Sequence, residues 1–208
     1  MKIYSYYQSI PTISQDEEFA CANLWKASWT HYGWEPVMLN RSHAQVSQRY
    51  NKMLQKLVGE LRHVEALRNQ FDFIVARFIR WCALHASGGG WMSDYDVLNL
   101  GFTPESAIKL QQPIVLSSSR PCLFYVSAEN AQYVINKYLS GDLVECSKIR
   151  SESDILGVKP IEIDGIDHFR ARPGETSKSS VMQEHWALNL SQPADLIKKT
   201  VAPVFDVG

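Results

Sequence analysis

Two carboxylates two positions apart, Asp94 and Asp96, close the run Gly88-Gly89-Gly90-Trp91-Met92-Ser93-Asp94-Tyr95-Asp96. Side chains two apart on a regular strand project from the same face. An extended reading of Trp91 to Leu98 therefore places both carboxylates together. Paired carboxylate oxygens suit Mg²⁺ or Mn²⁺, which take carboxylate, water and phosphate oxygens. The glycines allow tight turning and a close backbone approach to a ligand, which makes Gly89 and Gly90 candidate substrate contacts. Upstream, Arg77 and Arg80 lie three residues apart and share one helical face. A guanidinium in that place reaches a diphosphate or a sugar hydroxyl. Trp91 abuts the motif and is a candidate wall of a sugar pocket. An Asp-x-Asp by itself is as readily a solvated turn. The information lies in the ordered combination of Arg-bearing helix, glycine break, aromatic and acid pair.

The elements that must position these groups read as an α/β chain. Lys2 to Tyr6 is a first strand. Ser14 with Glu17 three residues on forms a capping box, and the helix it opens carries Cys21, Leu24, Trp25, Ser28 and Trp29 on one face, with Gly33 at its end. Pro36 to Leu39 is a short buried strand, so the chain opens strand, helix, strand, the start of a parallel sheet. Ser42 is the expected cap of a second helix in which Val46, Tyr50, Met53, Leu54, Leu57, Val58 and Leu61 recur at helical spacing. Asp72 to Ala86 is a further helix, with Ile74, Phe78, Trp81 and Cys82 as its apolar stripe. Pro113 to Leu116 and Cys122 to Val126 read as strands. Ser127 caps a helix with Ala131, Val134, Ile135 and Tyr138 inward, ended by Gly141. Val158 to Ile163 reads as a late strand, Ile166 to Ser180 as a loop, and Pro193 to Val201 as a terminal helix. The whole predicts a mostly parallel central sheet flanked by helices in one domain spanning residues 1–208, with the acid pair at a strand end.

The run Arg-x3-Leu, Gly-Gly, Asp-x-Asp resembles the DXD-containing sugar-binding region of GT-A glycosyltransferases, particularly the retaining group with the initiation-specific mannosyltransferases and the clostridial glucosylating toxins. Arg80, Leu84, Gly89, Gly90, Asp94 and Asp96 are the matching positions. The likeness is concentrated in Ile74 to Leu98. The first strand, the Trp-rich helix and Gly33-Trp34-Glu35-Pro36 are similar to the group's nucleotide-binding start. Two positions depart from the pattern: Arg77 stands where the group commonly has an Asp, and the spacing from Arg80 to the glycines is one residue longer. The resemblance implies a GT-A-like fold with a Rossmann-like nucleotide-binding half, a nucleoside diphosphate sugar donor (a UDP- or GDP-sugar), a hydroxyl acceptor, and Mn²⁺ or Mg²⁺ on the acid pair. It implies Asp96 as direct metal ligand, with Asp94 on the ribose, the sugar or the metal through water. It further implies a late histidine near the metal. His185, between Glu184 and Trp186, ranks ahead of His168. Ser153-Asp154-Ile155-Leu156 resembles the late Asp-bearing segment near the acceptor, so Asp154 is a candidate to position the acceptor hydroxyl.

Other residues have a functional and a bland reading side by side. Tyr6 and Tyr7 end the first strand, and strand C-termini in doubly wound sheets face the ligand crevice. One of them is a candidate to stack on a nucleobase, with core packing the competing reading. Arg41, after the second strand, is a phosphate contact or an exposed arginine. Trp25, Trp29 and Trp81 read as core. Thr176 to Ser180, with Lys178 its only charge, reads as a lid.

The bulk properties narrow the function class. With 208 residues and 45% hydrophobic composition the chain can bury a core. A net charge of −1 without any Lys/Arg block argues against a nucleic-acid partner. The N-terminus lacks a signal-peptide pattern, and no stretch approaches a membrane span. Cys21, Cys82, Cys122 and Cys146 form no CxxC and read as buried free thiols of a cytoplasmic protein. Two other functions compete. An Asp-x-Asp phosphatase of the haloacid dehalogenase type would place its nucleophile near the N-terminus, whereas this pair is mid-chain. A non-catalytic nucleotide-sugar-binding protein on the same fold would bind donor without transfer.

Overall fold

The computed structural model describes residues 1–10, 14–110, 114–116, 123–148, 158–163, 165–168 and 177–190. Strand β1 (Lys2–Tyr6) alternates sides as the period of two requires: Ile3 enters one apolar cluster, Tyr4 and Tyr6 another. Helix α1 (Gln15–His31) then buries Cys21, Leu24, Trp25, Ser28 and Trp29, the stripe expected from the sequence. Gly33, at φ +82°, turns the chain into β2 (Glu35–Leu39).

Two short helices follow where one was expected. Asn40, not Ser42, caps α2 (Arg41–Gln45): its side chain accepts from the backbone N–H of Ser42 and His43. The periodic stretch breaks there, leaving Val46 75% exposed, and resumes as α3 (Tyr50–Leu61). After a 3₁₀ segment (Glu65–Gln70), α4 (Phe71–Ala86) buries Ile74, Phe78, Trp81 and Cys82 as read. The chain continues through β3 (Gly89–Ser93), β4 (Val97–Asn99), α5 (Pro104–Lys109), β5 (Ile114–Leu116) and β6 (Leu123–Ser127). Ser127 caps α6 (Ala128–Ser140) through the Asn130 N–H, and Ala131, Val134, Ile135 and Tyr138 point inward as expected. Helix α7 (Leu143–Lys148), strand β7 (Ile166–His168) and helix α8 (Lys178–Leu190) complete the described elements.

The main sheet has the order β2-β1-β3-β6-β5, with β1 parallel to β2 and β3, and β6 antiparallel to β3 and β5. The expectation of a mostly parallel sheet is corrected to a mixed one. β5 and β6 are joined by a short connection, and a parallel pair needs a crossover of a dozen or more residues. Helices α3, α4 and α6 pack on one face over Tyr4, Tyr6, Met92 and Phe124. The other face carries α1 and α5 over Ile3, Trp91 and Leu123, beside the small antiparallel sheet of β4 and β7.

Two late expectations also change. Residues 158–163 contain one bridge position rather than a strand, and the strand is β7, inside the stretch read as a loop. The C-terminal part of that stretch starts α8, which packs Met182 and Trp186 against Cys21, Leu24 and Leu98. The expected helix at Pro193 to Val201 lies outside the described residues. Among the described residues, no helix is long and apolar enough to cross a membrane.

Candidate functional site

Strand β3 ends at Ser93, and the two aspartates lie beyond it. The Val97 N–H donates to the Asp94 carbonyl at 3.2 Å, closing a turn over Asp94, Tyr95 and Asp96. The sequence-based picture of both carboxylates on one strand face is therefore corrected: they sit in a turn and point to different partners. Asp94 Oδ1 accepts from Arg80 Nη1 at 3.1 Å, with side chains 40% and 13% exposed. Asp96 Oδ2 accepts from Lys178 Nζ, with side chains 15% and 22% exposed. The Arg80 guanidinium also lies 5.5 Å from the centroid of the Phe124 ring, so it is held from below as well as by charge.

Both shoulders of the turn are fixed by α1. Trp25 Nε1 donates to Ser93 Oγ at 2.7 Å, just before the turn, and Trp29 Nε1 donates to the Val97 carbonyl at 3.2 Å, just after it. The Asn99 N–H donates to Ser28 Oγ at 3.2 Å, and Trp34 Nε1 to the Phe102 carbonyl at 2.7 Å. Tryptophans read from the sequence as core do pack there. The indole N–H groups of Trp25 and Trp29 also fix the backbone that carries the acids.

The middle of the turn is tied to α1 too. Tyr95 and Tyr7 donate to the two oxygens of Glu18, at 2.9 and 3.2 Å, and Glu18 is 3% exposed. Burial, reinforced by the Glu18 charge, raises both phenols above their ordinary value. The Tyr7 and Tyr95 rings meet edge to face at 6.1 Å. Glu17 does not close the expected capping box. Ser14 occupies the N-cap position without a side-chain bond, and the Glu17 carboxylate instead accepts from the Ser179 N–H at 2.6 Å and Ser179 Oγ at 2.9 Å. A distant helix terminus outcompetes the local cap because it offers two donors to one carboxylate. Cys21, beneath this cluster, has its thiol pushed up to about 12 by burial.

Within this set of described side chains, four carboxylates (Glu17, Glu18, Asp94, Asp96) face two cations (Arg80, Lys178). Carboxylate oxygens are a donor type that Mg²⁺ and Mn²⁺ take, through one or two carboxylates with water and phosphate oxygens completing the shell. No group of three or more His, Cys, Asp and Glu side chains that could hold a metal occurs among the described residues, so the expected trio of Asp94, Asp96 and His185 is not assembled. His185 lies on α8 seven residues after Lys178, which is about 10 Å along the helix axis. β7 pairs the backbone of His168 with Val97, next to Asp96. Asp154 lies outside the described residues.

Several other candidates receive structural roles. Gly89 and Gly90 are at the opposite end of β3 from the acids. A Cβ on Gly89, at φ +77°, would lie 2.4 Å from the Ala128 backbone nitrogen, and one on Gly90 3.0 Å from the Tyr4 ring. They admit neighbouring chain, not ligand. Trp91 is 4% exposed inside the cluster of Trp34, Phe102 and Tyr125, which corrects its assignment to a sugar pocket. Arg77 sits one turn before Arg80 on α4; it is among the charges opposing burial, the main cause of the raised Cys146 thiol on α7. Tyr6 is 9% exposed in the core on the α4 side, whereas Tyr7 reaches the turn through Glu18. Arg41 donates to the Tyr50 hydroxyl.

No protein-family model matches this chain, and no curated protein matches it. The assignment of function therefore rests on the residues themselves. Glu18, Ser93 and Lys178 are site residues that the sequence reading did not identify. Glu18 and Ser93 carry no local signal, since a first-turn glutamate and a strand-end serine are ordinary. Lys178 was visible only as the single charge of a polar stretch.

Proposed function

We propose that the chain is a glycosyltransferase of the GT-A kind, moving a hexose from a nucleoside diphosphate sugar to a hydroxyl acceptor with retention of configuration. The observation that carries this reading is the Asp94-Tyr95-Asp96 turn, with Arg80 on one carboxylate and α1 clamping both shoulders. A preorganised acid turn at the end of β3, beside the end of the parallel neighbour β1, stands where ligands bind in open α/β sheets. The mixed sheet with helices on both faces is compatible with a Rossmann-like nucleotide half.

In this reading Asp96 and Asp94 hold Mn²⁺ or Mg²⁺, which when bound supplies positive charge to the departing nucleoside diphosphate. The chain's own contributions are positional. Arg80 is fixed beside the acid turn by Asp94 and Phe124, a guanidinium of the kind that meets a phosphate or a sugar hydroxyl. Glu18 locks Tyr95, and through it the spacing of the two acids. The indoles of Trp25 and Trp29 keep the turn from relaxing, so little reorganisation is needed when donor arrives.

The test is a thermal-shift series with UDP, GDP, UDP-sugars and GDP-mannose, each with Mn²⁺ and with EDTA. A ligand at one hundred times its Kd stabilises the native state by about 2.7 kcal/mol, which raises Tm by roughly 5–11 °C for a chain of this size. A Mn²⁺-dependent rise with one nucleotide, followed by transfer or donor hydrolysis, is the expected result. Binding without turnover on any acceptor or water would leave a nucleotide-sugar-binding protein. No shift with any nucleotide would refute the reading.

A further inference from the structure

Away from the acid turn, the junction between α3 and α4 frames an open hollow of about 380 Å³. Small-molecule sites begin at about 300 Å³. The lining side chains are Arg62, His63, Arg68, Phe71 and Asp72. Arg62 follows the last turn of α3, Arg68 lies in the 3₁₀ segment, and Phe71 and Asp72 open α4. Asp72 stands eight residues before Arg80, about 12 Å along the helix axis, so the hollow is separate from the acid turn.

All the lining side chains but Phe71 are charged or polar, which suits a polar ligand rather than an apolar one. Two guanidiniums and an imidazole face one carboxylate. Among the described residues, the side chains of Arg62 and His63 have no hydrogen-bond or ion-pair partner. Arg68 Nη1 lies 3.6 Å from Glu65 Oε1, with side chains 74% and 87% exposed. So exposed a pair holds Arg68 weakly and leaves most of its N–H groups for a ligand. A planar guanidinium fork takes phosphate oxygens two at a time, and two forks match a dianionic phosphate better than a singly charged carboxylate. Phe71 is partly buried and packed against the core, so its ring is a fixed apolar wall. The Asp72 carboxylate accepts only. It repels a second anionic group and suits hydroxyl donors.

We propose that this hollow binds a phosphorylated sugar, with the phosphate on Arg62, Arg68 and His63, hydroxyls on Asp72, and the C–H face of the sugar ring on Phe71. Charge supplies the attraction. The carboxylate and the aromatic wall distinguish the sugar ester from phosphate alone. The site needs neither a metal at Asp94 and Asp96 nor any transfer reaction, so it stands or falls separately from the proposed function.

The experiment is a nuclear magnetic resonance titration of the full chain at low ionic strength, without metal or nucleotide. The probes are glucose 6-phosphate, inorganic phosphate and glucose. The proteins are the wild type, Arg62→Gln/Arg68→Gln, Phe71→Leu and Lys26→Gln. Arg62 and Arg68 are exposed, so their replacement keeps the fold. Lys26 is an exposed cation on α1, across the sheet from the hollow. In the wild type, glucose 6-phosphate is expected to shift the signals of residues 62–72 saturably and to bind about threefold tighter than phosphate, with glucose causing no shift. Arg62→Gln/Arg68→Gln is expected to weaken binding of both anions about tenfold, and Lys26→Gln to leave it unchanged. Phe71→Leu is expected to bring glucose 6-phosphate down to the affinity of phosphate. Equal weakening by Lys26→Gln and by the arginine double variant overturns the site in favour of diffuse charge. Equal wild-type affinity for glucose 6-phosphate and phosphate overturns the sugar ester as its ligand. An unchanged preference in Phe71→Leu overturns the ring contact. No shift at residues 62–72 with either anion overturns the proposal outright, while the nucleotide series with Mn²⁺ tests the proposed function independently.

Discussion

Ser93→Ala isolates the bracing of the acid turn with a minimal change. Ser93 and Trp25 are each 1% exposed, and the bond between Trp25 Nε1 and Ser93 Oγ is 2.7 Å long. Removing the hydroxyl creates almost no cavity, but it leaves a buried indole N–H without its acceptor. The cost of such an orphan is about 1–3 kcal/mol, against the smaller net worth of the bond when both partners are removed. For a chain of this length that corresponds to a fall in Tm of roughly 2–12 °C. Thermal and urea denaturation measure it, with an unchanged urea slope showing that only stability has moved. Trp25→Phe adds a lost ring, so it falls further. The double variant Trp25→Phe/Ser93→Ala then recovers about 1 kcal/mol relative to the sum of the two. Faster hydrogen exchange at the Val97 amide, which closes the turn, should accompany the loss. A Ser93→Ala protein within about 0.5 kcal/mol of wild type, the range of ordinary surface substitutions, would show that the indole does not brace the turn.

Asp96→Asn should keep the fold, because its carboxylate belongs to a polar cluster rather than the core, and should abolish any Mn²⁺-dependent nucleotide shift; calorimetric titration with UDP and GDP checks this. Gly89→Ala should cost about 3–5 kcal/mol, since φ is +77° and the new Cβ would meet backbone at 2.4 Å; urea midpoints measure it, or loss of folded protein shows it outright. Stability should fall as pH rises above 10. The Tyr95 phenol is raised in the fold from its ordinary 10.0, by burial and then by Glu18, so the native state keeps a proton that the unfolded chain releases. The stabilisation is complete below pH 10 and is lost toward the higher native value. Tyr95→Phe, measured by denaturant midpoints between pH 9 and 11, should flatten that decline.

Much of the scaffold was legible in the residues. The stripes of α1, α4 and α6, the Ser127 cap, and the strands at Lys2–Tyr6 and Glu35–Leu39 follow from periodicities of 3.6 and 2, which a chain obeys locally. The pairing of Arg80 with Asp94 was not legible, since the spacing assigned Arg80 to a diphosphate or a sugar hydroxyl. What failed did so where another partner outbid the expected one. Glu17 left its capping box for Ser179, 162 residues away. Asn40 took the cap expected of Ser42 by accepting from two N–H groups. Gly89 and Gly90, residues that suit a ligand approach equally well, were claimed by the β6–α6 junction and Tyr4.

The sequence by itself determined which residue types stand around the acid pair and which faces of the helices turn inward, because alternation and helical spacing are properties of short segments. Only the tertiary structure decided that Asp94 and Asp96 occupy a turn with separate cationic partners, that Glu18 sits buried between Tyr7 and Tyr95, and that Lys178 meets Asp96 from 82 residues away. Those contacts depend on α1 and α8 closing over the end of the sheet. Burial then makes each unmatched charge or donor costly enough to select its partner, a selection that no local pattern encodes.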